Sequence, residues 1–143
     1  MTQNNFHSQN INNQSETPKP PPRLLSVLQK LKEVYIFWYQ NYLILPKPHK
    51  YSLGEKIDRL FVEAMEAIIT ASFLNQSEKL PYVRLANRKV DTLKIFLMIL
   101  WETKSIDNKK YIVLSSKLDE VGRNLGGWSG QITKQNSPKQ GEK

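Results

Sequence analysis

The chain has 143 residues, with 21 Lys and Arg against 13 Asp and Glu for a formal charge of +8, and it has no cysteine. That length suits one domain with a real core. Disulfides and thiolate metal sites are excluded, and the cationic excess favours a polyanion as partner. The longest apolar run, Ile95 to Trp101, is far too short to span a membrane.

Residues 1–22 are polar, lack the apolar segment of a secretory signal, and end in Pro18-Lys19-Pro20-Pro21-Pro22. Too few apolar groups are present to offset the entropy of ordering, so this stretch is expected to be a disordered arm. A first helix is expected from Arg23 to Ile44. Its stripe is Leu24, Leu28, Leu31, Tyr35, Trp38 and Tyr42, widened by Ile36, Phe37 and Tyr39. Pro46 and Pro48 break it. Ser52-Leu53-Gly54-Glu55 reads as a capping box. A second helix follows to Leu74, with Leu53, Ile57, Leu60, Phe61, Ala64, Ala67, Ile68 and Ala71 on one face.

Asn75 to Glu78 is a short loop, and the third helix begins beside Pro81, which the first turn tolerates. On it Tyr82, Leu85, Ala86, Val90, Leu93, Phe96, Leu97 and Leu100 form the expected core face. Arg84, Arg88 and Asp91 lie opposite, as do Ile95, Met98 and Ile99. That second half is apolar all round and needs cover on two sides, either as the central helix of a tight bundle or by packing outward on a neighbouring subunit, and few extra helices are available in so short a chain. Ile95, Met98 and Ile99 are therefore the candidate oligomer interface. The third helix should end near Lys104, and Asp107 should cap a fourth. There Tyr111, Leu114, Leu118, Val121, Leu125 and Trp128 repeat by threes and fours. Gly122 is expected to allow close backbone contact, and Gly126-Gly127 to weaken or end the helix. The domain is thus expected over residues 23–132, with a disordered tail at 133–143. Short loops between four helices predict an all-α, antiparallel up-down-up-down four-helix bundle.

No catalytic constellation emerges. No histidine falls inside a predicted helix to build a bundle metal site, and no glycine-rich phosphate loop follows a strand. Ser115 and Ser116 have no activating partner. The chain reads as a non-enzyme without cofactor or metal. The candidate nucleic-acid-binding residues are Lys79, Arg84, Arg88, Lys89 and Lys94 on the third helix, and Lys109, Lys110, Lys117 and Arg123 on the fourth. Such a patch contacts phosphates and binds with a steep salt dependence. Tyr82 and Phe96 are expected to face inward, leaving little base stacking. The competing explanation is a solvated surface on a protein adaptor.

Several stretches carry a resemblance. They are Leu45-Pro46-Lys47, Tyr51-Ser52-Leu53-Gly54-Glu55-Lys56-Ile57, Leu85-Ala86-Asn87-Arg88-Lys89-Val90-Asp91-Thr92-Leu93, and Lys117-Leu118-Asp119-Glu120-Val121-Gly122-Arg123-Asn124-Leu125-Gly126-Gly127-Trp128. Together the chain resembles the accessory variability determinant of diversity-generating retroelements, everywhere but in the tails. The resemblance implies a four-helix bundle that forms a homopentamer and binds the element's reverse transcriptase, while the lack of a secretory signal and of a spanning run sets the expectation of a soluble, cytoplasmic protein. The resemblance also implies a basic surface for RNA or DNA, in support of mutagenic copying of template RNA. Bundle proteins encoded in intervening sequences of 23S ribosomal RNA genes are similar in helix pattern and form the nearest alternative.

Overall fold

The computed structural model describes residues 25–137. The expected arm at 1–22, and the tail beyond Ser137, lie outside the described residues. Within them the chain forms α1 (Leu25–Tyr42), α2 (Lys47–Lys50), α3 (Leu53–Phe73), α4 (Leu80–Glu102) and α5 (Asn108–Asn136). Each of the four long helices packs on two others: α1 and α4 each contact α3 and α5, closing a four-helix bundle. Residue pairs across the seams step forward along one helix as they step back along the other. Tyr35 and Trp38 meet Phe61 and Asp58 on α1–α3, and Lys94 and Trp101 meet Asp119 and Tyr111 on α4–α5.

The core follows from heptad-like spacing. On α3 the expected Ile57, Leu60, Phe61, Ala64, Ala67, Ile68 and Ala71 are all buried. On α4 the buried set is Val83, Ala86, Val90, Leu93, Leu97 and Leu100, a clean alternation of threes and fours. Tyr82 is therefore not in the core: Val83 takes that position and Tyr82 stays exposed in the first turn. Leu85 and Phe96 flank the seam half-buried rather than closing it. On α1, Leu31, Val34 and Trp38 are buried, while Ile36 and Tyr39 point outward instead of widening the stripe. The Trp38 indole N–H, fully inside, donates to Asp58 Oδ1 at 3.3 Å, so burial leaves no orphan donor on that ring.

Three local expectations change. After Pro46 the chain forms a single helical turn, α2, which includes Pro48 and leads almost directly into α3. Ser52 accordingly donates to Pro48 O at 2.8 Å and makes no cap hydrogen bond, so the capping box does not form. Gly54 is what lets α2 sit this close. A Cβ there would lie 2.9 Å from His49 O and 3.0 Å from Leu45 Cδ1. Asp107 does cap α5, accepting from the Lys110 backbone N–H at 2.9 Å.

The third change is at the far end of α5, which runs through Gly126-Gly127 to Asn136. Both glycines and Gly130 lie on the outer side, where an added Cβ would meet nothing within 4 Å. Two more turns form because Trp128 packs on the core and Ile132, fully buried, continues its spacing. Asn136 Nδ2 then donates to Gln76 O at 3.1 Å, and Gln135 hydrogen-bonds the Gln76 side chain. These contacts tie the end of α5 to the α3–α4 loop.

Candidate nucleic-acid interface

The candidate cations sort by the company they keep. Lys79 precedes α4, and its Nζ donates to Ala71 O at 2.8 Å and Ser72 O at 3.5 Å. It adds a charged donor to carbonyls in the last turn of α3, one of which also accepts the Leu74 backbone N–H, and a cation is favoured there by the helix dipole. Lys89 pairs with Glu63 of α3 at 2.8 Å, and Lys94 with Asp119 of α5 at 3.0 Å. The Lys89 hydrogen bond is the main reason the Glu63 carboxyl is held below its ordinary range. Gly122 does not bring two backbones together as expected. A Cβ there would sit 3.3 Å from Lys94 Nζ, so the glycine clears a path for that ammonium across the seam.

On α5, Asp119 is taken by Lys94, and Glu120 by Lys30 of α1 at 2.8 Å. Lys30 also pulls the Glu120 carboxyl below its ordinary range, again chiefly by hydrogen bonding. Arg84, Arg88, Lys109, Lys110, Lys117 and Arg123 keep no acidic partner among the described residues. Arg84 and Arg88 stand one turn apart on the outer face of α4. The α4–α5 register, set by Lys94–Asp119, puts Arg123 level with Val90, two residues along the axis from Arg88. Arg123 lines the cleft bordered by Ser26 and Val27 of α1 and Ser72 of α3, so it sits toward α1, while Arg84 and Arg88 face outward on α4. Lys109 and Lys110 lie at the other end, in the first turn of α5.

Below the arginines, the same outer face of α4 turns apolar. Ile95 is 55% exposed, and Met98 and Ile99 are each 36% exposed. The described chain covers most of Met98 and Ile99 and leaves Ile95 the most open of the three. Ile112 on the outer side of α5 and Trp101 at the end of α4 are exposed as well. Sequence reasoning missed Lys30, Asp58 and the exposed aromatics Tyr51 and Trp101. A signal was present for Trp101 alone, which falls outside the three-and-four alternation of the α4 core.

The arrangement can attract phosphates through fixed guanidinium and ammonium groups and can bury apolar surface against another protein. No group of three or more His, Asp or Glu side chains that could hold a metal ion occurs among the described residues. No helix among them is long and apolar enough to cross a membrane. A comparison with curated proteins finds no match. A family model described as bAvd-like matches residues 25–132, the stretch that contains the whole core.

Proposed function

The chain belongs to the bAvd-like family of bacterial accessory variability determinants, and on that footing we propose that it is a non-enzymatic accessory subunit of a retroelement reverse transcriptase. In this reading it works in the cytoplasm, binds the polymerase and its nucleic acid, and supports mutagenic copying of template RNA. The two-part outer face of α4 carries the proposal. Arg84 and Arg88 offer unpaired positive charge, and Ile95, Met98 and Ile99 offer exposed hydrocarbon on the same side. Further copies of the chain, five in the assembly implied by the family, cover the apolar half. RNA or DNA phosphates engage Arg84, Arg88, Arg123, Lys117, Lys109 and Lys110. Lys79, Lys89 and Lys94 act mainly as ties between helices.

Two variants test this. Ile99→Lys should give a folded protein of lower mass by light scattering, and an unchanged mass would remove the outer face of α4 as the interface. Arg84→Glu with Arg88→Glu should still co-purify with the reverse transcriptase encoded beside it and should lose retained nucleic acid. If nucleic acid is retained, the charge is only surface chemistry and the chain is a protein adaptor.

A further inference from the structure

We infer that the end of the bundle built by α2 and the α4–α5 turn binds unpaired nucleotides of a single strand, stacking bases on Trp101 and Tyr51 between lysines that hold the phosphates. This rests on the nucleic-acid reading above and adds the form of strand that the surface prefers. Trp101 is held from two sides. The Tyr111 ring stacks on it at 4.8 Å between centroids and 9° between planes, and its N–H donates to Asn108 Oδ1 at 2.6 Å. With one ring face covered and its donor satisfied, Trp101 as a residue is still 37% exposed. A flat aromatic pair with an open outer side is a stacking platform already set in place, so a base loses little by docking on it. Tyr51, just past α2, is 65% exposed, and Lys50 Nζ lies 5.8 Å from its ring centroid.

The two aromatics belong to one rigid end. His49 of α2 and Ser105 of the α4–α5 turn share a side-chain hydrogen bond. Lys104, two residues past the end of α4, turns the chain at φ 63°, in the left-handed region that favours glycine. Lys50, Lys104 and Lys109 have no acidic partner among the described residues. Cations interleaved with exposed aromatic faces match a single strand, which presents both phosphates and bare bases. A duplex keeps its base faces covered and offers phosphates only.

The test uses the full chain and three labelled probes of equal length: oligothymidylate, an abasic deoxyribose-phosphate strand, and a duplex. Fluorescence anisotropy should show oligothymidylate binding about tenfold tighter than the abasic strand. Trp101→Ala should bring oligothymidylate down toward the abasic level and leave the abasic strand and duplex unchanged. Trp101→Phe should keep most of the preference, and Tyr51→Ala, at an exposed position that the fold does not need, should lose part of it. Equal affinity of the wild type for oligothymidylate and the abasic strand would overturn the stacking site. So would a fall in mass for folded Trp101→Ala by light scattering, which would assign the ring to the contact between copies. Failure to bind any probe would instead sink the nucleic-acid reading itself.

Discussion

The sorting of cations into tied and untied groups makes a prediction that formal charge alone does not. Six candidate cations have neither an acidic partner nor, like Lys79, a tie to backbone carbonyls, so a duplex that engaged them all would show a log–log salt slope of about 5, at about 0.9 per phosphate neutralised. Arg84→Gln with Arg88→Gln removes two positive charges and should make that slope shallower by about 2. Lys89→Gln with Lys94→Gln also removes two positive charges, from residues whose ammoniums already serve Glu63 and Asp119. That pair should leave the slope where it is and instead lower the melting temperature. Each broken tie is partly exposed and contributes less than about 1 kcal/mol. Titration of binding over a range of potassium chloride, with thermal melts of the same samples, separates the two outcomes. Equal slope changes for the two double variants would show that the protein is read as a diffuse positive field. The distinction drawn from the ion pairs would then be empty.

Three further outcomes follow from the packing. Gly54→Ala should destabilise, because its Cβ would press on the His49 carbonyl at 2.9 Å, whereas Gly126→Ala meets no atom and should stabilise by about 1 kcal/mol through helix propensity; urea denaturation measures both. Leu97→Ala, at a fully buried position, should cost about 2–5 kcal/mol in the same assay while leaving the salt slope unchanged. Glu63 has its carboxyl lowered from an ordinary 4.5, so its pairing stabilises above that pH and is lost as pH falls through the lowered value. Glu63→Gln should therefore be less stable than wild type at neutral pH, by less than about 1 kcal/mol, and the gap should close in acid. A gap that persists at low pH would mean the substitution acts through packing.

Much of the bundle was legible because α3, α4 and α5 repeat apolar residues at the helix period, and burial reads that period directly. The errors have physical causes. Wheel angle alone places Tyr82 in the core, yet in the first turn of α4 it leaves the seam and Val83 takes its place. Glycine propensity alone would weaken or end α5 at Gly126-Gly127. Ile132, continuing the Val121, Leu125 and Trp128 spacing, signalled a packed face that outweighs it. Ser52 looked like a cap until the α2 turn offered its hydroxyl a carbonyl. The site was less legible than the core. Which lysine faces which acid depends on the register between helices, and Lys30–Glu120, Lys89–Glu63 and Lys94–Asp119 all cross a seam. Composition along a single helix therefore counted cations that the neighbouring helix had already neutralised.

The run of bare glycines on the outer side of α5 has a consequence for how the molecule opens. Gly126, Gly127 and Gly130 each weaken their turn by about 1 kcal/mol relative to alanine. The segment beyond them is anchored by Ile132 and by contacts to Gln76. Amide hydrogens there should exchange in a cooperative step well below the global unfolding free energy, while those around Leu118 and Leu125 wait for the whole bundle. That step would unlatch the α3–α4 loop and expose the Ile132 pocket, leaving the rest of the core shut.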